Sequence, residues 1–229
     1  MRKESSTGGE LLLIFTRNPE LGKVKKRLAA GIGNMAALKI YKHLLQHTVE
    51  ITKNLQVEKW VFYSEEIPDK DIWEKKYFSK KLQQGNELGE RMENAFRSGF
   101  EAGFSSIIII GSDLYDLSEE DLKKAFLALK DSEAVIGPAT DGGYYLLGMK
   151  SLTSRVFKNK NWGSNLVLEA TLKDLKGYKI TQLEARNDID RLEDMRPHRE
   201  LMKILKKQRN YEEDAIFINI NDYSYYFWL

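Results

Sequence analysis

A wholly apolar, β-branched run, Ile107–Ile110, sits near the middle of the chain inside SSIIIIGSDLYDL. Such a run predicts a strand buried on both faces, as in a parallel sheet. It stops at Gly111-Ser112. Ser118 then opens SEEDLKKAFLALK, a helical pattern whose Ser118 and Asp121 form a Ser-x-x-Asp capping signal. Further strand-like segments are Leu11–Thr16, Val57–Tyr63, Lys81–Gln84, Ala134–Gly137, Gly143–Met149 and Tyr178–Leu183. Helical periodicity marks Asn34–Asn54, Glu87–Gly103, Leu166–Leu175 and Glu193–Gln208. In Glu87–Gly103 the residues Leu88, Met92, Ala95, Phe96 and Gly99 share one face. Strands alternating with helices predict an α/β fold, a central, mostly parallel mixed sheet flanked by helices. No repeat, low-complexity tract or linker interrupts the pattern, so a single domain over 1–229 is expected. Its polar first nine residues are expected to fray, and residues 211–229 form an aromatic C-terminal extension.

Composition narrows the function classes. The net charge of +2 over 229 residues gives no electrostatic case for nucleic acid. The absence of cysteine excludes disulfides, thiolate zinc sites and a cysteine nucleophile. The apolar run LLLIF is too short for a signal peptide or a membrane span. A cytoplasmic protein with no membrane partner is expected. The tail NINDYSYYFWL reads as a strand or ribbon docked on the body or on a second subunit, which makes it the expected contact of a homodimer.

Three stretches carry candidate chemistry. Asp113 follows the isoleucine strand directly, at the sheet edge where open α/β sheets bind ligands, and a carboxylate there suits a divalent metal carrying phosphates. An aspartate in such a turn also satisfies backbone N–H groups, which is the better reading of Asp116. TRNPELGKVKKRL, residues 16–28, follows the first strand and holds Arg17, Lys23, Lys25, Lys26 and Arg27 against one acid, Glu20. Parallel strands would bring Arg17 to the same edge as Asp113, so phosphate binding is favoured over a solvated basic face. GPATDGGYYLLGM, residues 137–149, places Asp141 before Gly142-Gly143 and Tyr144-Tyr145, a turn suited to the wall of an acceptor site. In NDIDRLEDM, Asp188 and Asp190 alternate at the end of a strand-like segment. Only one of them can face the site, and helix capping is the competing reading. His43 and His47 have a zinc-compatible spacing but no third ligand in the pattern.

In this order, the motifs resemble the radical-SAM/selenodomain-associated transferases, a family of poorly defined activity described as glycosyltransferases. That family resembles the nucleotide-diphospho-sugar transferase superfamily of GT-A fold, and 2-phospho-L-lactate guanylyltransferase shares similar features. RNPELGKVKKRL is similar to the family's R-x-P-x-x-G-x-x-K-T-R-L, LGERM stands unchanged at Leu88–Met92, and GSDLYDL is similar to G-T-D-C-P-D-L. GPATDGGYYLLG and DIDRLED follow two further family patterns. The resemblance implies a transferase acting on a nucleoside triphosphate or nucleotide sugar with Mg²⁺ or Mn²⁺. Asp113 would bind the metal with Asp190 as candidate second ligand, Asp113 and Asp141 would be catalytic, and Arg17, Lys23 and Arg27 would contact phosphates. Gly142, Gly143 and Tyr144 would line the acceptor side. Three departures stand out: Lys26 replaces the family's Thr, Leu114-Tyr115 replace Cys-Pro, and Arg191-Leu192 replace Thr-Pro. They keep open a non-catalytic nucleotide- or partner-binding module as the alternative.

Overall fold

In the computed structural model, which describes residues 8–208, the isoleucine run becomes strand Ser106–Gly111, fourth in a seven-stranded sheet. The strands are β1 (Glu10–Thr16), β2 (Glu58–Tyr63), β3 (Ser79–Leu82), β4 (Ser106–Gly111), β5 (Ala134–Pro138), β6 (Tyr144–Met149) and β7 (Ile180–Gln182), in the spatial order β3-β2-β1-β4-β6-β5-β7. All neighbouring pairs are parallel except β6, which runs antiparallel to both β4 and β5. The expected mostly parallel mixed sheet is therefore present.

The helices are α1 (Lys26–Ile32), α2 (Asn34–Thr52), α3 (Leu88–Glu101), α4 (Glu119–Asp131), α5 (Val167–Asp174) and α6 (Leu192–Met195), with a 3₁₀ turn at Ser154–Phe157. The period of two in the central strands sorts their buried residues onto two faces. On one, Leu11, Leu13, Ile107, Ile109, Ile136 and Leu147 pack with Met92, Ala95 and Phe96 of α3 and with Val156 and Phe157. The fully buried Phe96 ring lies against Phe100 and Phe157. On the other face α4 is seated through Leu122, Ala125, Phe126 and Leu129. Its start is the expected capping box: Ser118 Oγ accepts from Asp121 N–H at 3.2 Å, and Asp121 Oδ2 accepts from Ser118 N–H at 3.0 Å.

The described chain divides into two compact units. One comprises the stretch ending at Asn18 together with Leu44–Asp188, which includes the whole sheet; the other comprises Pro19–His43 and the stretch beginning at Ile189. Within the first unit, residues 64–78 are pinned by Asp71. It accepts hydrogen bonds from the Tyr63 hydroxyl and the Trp73 N–H, and pairs with Lys80 Nζ at 2.6 Å. Gly9, expected to fray, accepts from Ser105 N–H at 3.1 Å. The expectations for residues 1–7 and for the aromatic tail lie outside the described residues.

Three local readings change. The third strand lies two residues earlier than expected. Helix α1 occupies the end of the basic loop. The basic helix expected over Glu193–Gln208 is broken, because α6 ends at Met195 and helix resumes over 199–208. Pro197 explains the break: it has no N–H with which to continue the helical hydrogen-bond ladder, and its ring crowds the preceding turn.

Phe96→Ala should destabilise the protein by about 3–5 kcal/mol, measured by urea unfolding. A loss well under about 1 kcal/mol would contradict the packing described for α3.

Candidate functional site

From β1, strands β2 and β3 extend the sheet one way, while β4 adds on the opposite side. The carboxyl ends of β1 and β4 therefore border a topological switch point, where open sheets leave a crevice. Thr16 ends β1 and Ser112 follows β4; both are buried, and Ser112 Oγ donates to Thr16 Oγ1 at 3.2 Å. Arg17 and Asp113 are the next residue on each strand, so the two reach the same sheet edge, as expected. Buried Asn18 fixes the backbone beyond Arg17. Its Oδ1 accepts from Glu65 N–H at 3.2 Å and its Nδ2 donates to Glu66 O at 2.9 Å.

A cavity of about 300 Å³ opens here. Phe15 and Ile109–Gly111 form its floor, and Asp113, Asp141 and Asp188 bring three carboxylates to its lining. Gly143 and Tyr144, expected on the acceptor side, line it as well.

The Asp141 turn is held by its glycines. Asp141 Oδ1 accepts from Gly143 N–H at 2.9 Å. Gly142 has φ 90°, and a Cβ there would lie 2.1 Å from Asn165 O, so only glycine fits. Tyr144 contributes its ring; its hydroxyl is buried toward Thr171, and neither oxygen has a hydrogen bond of normal geometry. Burial pushes the Tyr144 phenol far above its usual range, so it remains neutral. The Tyr145 ring covers Gly137, and its hydroxyl donates to Glu184 O at 3.1 Å.

The LGERM motif is accounted for residue by residue. Leu88 and Met92 line the cavity. A Cβ on Gly89 would lie 2.2 Å from Phe157 O and 2.7 Å from Trp162 Nε1. Glu90 accepts from Asn86 N–H at 2.7 Å, and Arg91 Nε donates to Gly85 O at 2.9 Å.

Arg186 carried no motif signal, yet it joins two acid-bearing segments. Its Nη1 donates to Asp116 O at 2.8 Å and its Nη2 to Asp121 Oδ1 at 2.7 Å. On its own strand, Arg186 N–H donates to Pro138 O and its carbonyl accepts from Thr140 N–H, both at 3.0 Å. This parallel pairing prolongs the β5–β7 ladder and delivers Asp188, two residues on, to the cavity. Burial alone would raise the Asp121 carboxyl. Its Ser118 hydrogen bonds and the Arg186 charge outweigh that and hold it below its usual range.

The remaining candidates lie in the second unit. Lys23 pairs with Glu20 at 2.6 Å and Arg27 with Asp190 at 2.8 Å. Asp194, the last acid of the DIDRLED motif, accepts from the N–H groups of Asp190 at 3.0 Å and Arg191 at 2.6 Å. The departure after Asp113 is absorbed by packing: Leu114 is buried, and the Tyr115 ring lies 5.1 Å from that of His47. His47 Nε2 also contacts Leu117 O at 2.9 Å, so this histidine serves the turn.

The chain belongs to the family described as "Uncharacterized protein conserved in bacteria (DUF2064)", which it matches over residues 47–164. Among solved structures it is similar to a protein from Desulfovibrio desulfuricans G20 provisionally assigned as a nucleotide-diphospho-sugar transferase. The two share 30% identity over 89% of this chain and 96% of that one, with a TM-score of 0.80. A cytidylyltransferase from Leptospira borgpetersenii shares 15% identity over 89% of this chain and 96% of its own, at a TM-score of 0.57. Rv0371c from Mycobacterium tuberculosis H37Rv, solved with manganese, shares 10% over 88% and 100%, at 0.50. The fold is that of the nucleotide-diphospho-sugar transferases. A search of curated proteins found no match. Among the described residues no helix is long and apolar enough to cross a membrane.

Arg186→Ala should lower stability by about 1–3 kcal/mol at pH 7, because it strips Asp121 of a charged partner. A depressed carboxyl stabilises the fold above its unfolded value of about 3.9 and loses that contribution as pH falls through the lower folded value. The gap between wild type and variant, read from urea midpoints, should therefore narrow below about pH 4. A gap independent of pH would contradict the assignment.

Proposed function

We propose that the chain is a metal-dependent transferase that moves a nucleotidyl or glycosyl group from a nucleoside triphosphate or nucleotide sugar to a small acceptor. The observation that carries this is the gathering of Asp113, Asp141 and Asp188 in one cavity at the β1/β4 switch point, with Arg17 beside Asp113 on the same edge. The similarity to a provisionally assigned nucleotide-diphospho-sugar transferase supports it.

The donor set fits Mg²⁺ or Mn²⁺. Asp113 and Asp188 offer hard carboxylate oxygens in one cavity, and among the described residues no group of three His, Cys, Asp or Glu side chains could hold a metal by itself. Two carboxylates completed by phosphate oxygens and water suit an ion of this size that arrives with its nucleotide. Asp113 would be the first ligand, and Asp188, which lines the cavity with it, would take the second place in preference to Asp190. When bound, the ion would neutralise charge on the phosphates.

Arg17, on the same sheet edge as Asp113, binds the phosphates. Asp141 keeps one carboxylate oxygen on Gly143 N–H and offers the other to the acceptor proton. Gly142 and Gly143 bring the backbone close, and Tyr144 forms an uncharged wall.

Calorimetric titration of nucleoside triphosphates and nucleotide sugars, with and without Mn²⁺, tests the reading. Metal-dependent binding should be lost in Asp113→Asn, which keeps its shape but not its charge. Binding that survives in Asp113→Asn overturns the metal assignment, and binding without turnover favours the non-catalytic module. Arg17→Ala should weaken nucleotide binding about 10-fold and flatten its salt dependence; unchanged affinity would remove Arg17 from the phosphate site.

A further inference from the structure

Most of the cavity lining is apolar. Tyr144, Tyr145 and Trp162 line it together with Met92, Ile109 and Val167. Of the polar ends of these aromatic groups one is hydrogen-bonded, and the other two are buried without a hydrogen bond of normal geometry. The Tyr145 hydroxyl is committed to Glu184 O, the Tyr144 hydroxyl is buried toward Thr171, and Trp162 Nε1 is buried against Gly89. Among the described residues lining the cavity there is no Lys, Arg, His, Asn or Gln. Side-chain polarity there comes from the three aspartates and Ser164, whose Oγ lies 3.4 Å from Leu166 N. At the mouth the apolar surface continues: Leu88, a lining residue, is 45% exposed, and Leu166, next to Val167, is 60% exposed.

We infer that the acceptor is a compact, largely apolar or aromatic molecule bearing a single hydroxyl or amine, not a sugar. This rests on the transferase reading above. A sugar would bring several hydroxyls against walls that offer few partners. Each hydroxyl buried without one costs about 1–3 kcal/mol, so the site discriminates against polyols through groups left unpaired. A nucleobase meets the same obstacle at its polar edge, because the lining holds no side-chain amide to read it. The cavity of about 300 Å³ stands at the small end of ligand pockets and is shared with the phosphates expected at Asp113 and Asp188, which leaves room for an acceptor of no more than one ring with a short arm. The one reactive group is placed at Asp141. There the acceptor O–H or N–H bond gives its proton to the carboxylate, and the freed electron pair forms the new bond to phosphorus (or to the anomeric carbon). The bond to pyrophosphate (or nucleoside diphosphate) breaks as it leaves with the bonding pair.

The test uses the whole chain with 2-phenylethanol, 2-phenylethylamine, glucose and adenosine as probes, each titrated alone and beside nucleoside triphosphate with Mn²⁺. The Trp162 indole resonance reports on the cavity. The phenylethyl probes should shift it and bind at least about 10-fold more tightly than glucose or adenosine. Val167→Phe, which fills the cavity, should weaken them by about 10-fold while the unfolding midpoint confirms that the variant folds. Should it fail to fold, Met92→Phe serves in its place. Tighter binding of glucose or adenosine, or phenylethyl binding that leaves Trp162 unmoved, overturns the inference. Nucleotide binding without phenylethyl binding overturns this inference alone. Phenylethyl binding without nucleotide binding overturns the transferase reading alone.

Discussion

The reversal of strand order at β1 and β4 is the constraint on which the site depends. A parallel sheet built outward on both sides of one strand pair must leave a gap at the carboxyl edge of that pair, since the segments that follow depart to opposite sides. The Ser112–Thr16 hydrogen bond closes the floor of this gap, and the next residue on each strand is charged, Arg17 on one and Asp113 on the other. A cation and an anion emerging side by side from buried strands are held by the sheet itself. That rigidity is what the proposed handling of phosphates and a metal would need, because catalysis of that kind rests on placement more than on covalent chemistry.

Around that floor the walls are set by close backbone approach and by one guanidinium. Gly89 lets residues 157–162 come down on α3, and Gly142 lets the Asp141 turn meet residue 165. Arg186 ties the segment after Asp113 to the segment before Asp188 through Asp116 O and Asp121. The acids of the cavity thus come from three different loops whose relative positions are fixed by polar contacts outside the cavity. The cavity's own surface remains largely apolar.

Much of this was legible in the chain. Ile107–Ile110 announced an interior strand because only a doubly buried strand tolerates four branched apolar residues in succession. Asp113 was legible because it follows that strand directly. The capping box at Ser118 marked the next helix, because both of its partners lie within one turn. What escaped depended on distant contacts. Arg186 acts on residues 65 and 70 positions away, so nothing in its neighbourhood announced it. Asp188 reaches the cavity lining beyond the Ala139–Arg186 bridge, a register set by pairing and not by local pattern. Helix α1 begins at Lys25 in a left-handed conformation without a side-chain cap, so its start carried no signal. Tyr115, one of the departures after Asp113, finds the ring it packs on in His47, which is distant in sequence.

The central claim is that Asp113 and Asp188 together hold the metal that accompanies the nucleotide. Anomalous diffraction from crystals grown with Mn²⁺ and a non-hydrolysable nucleoside triphosphate tests it directly. The account predicts one manganese peak within about 2.0–2.4 Å of a carboxylate oxygen of each aspartate, with phosphate oxygens completing its shell. A bound nucleotide whose manganese lies away from Asp113, or a shell without Asp188, would contradict it.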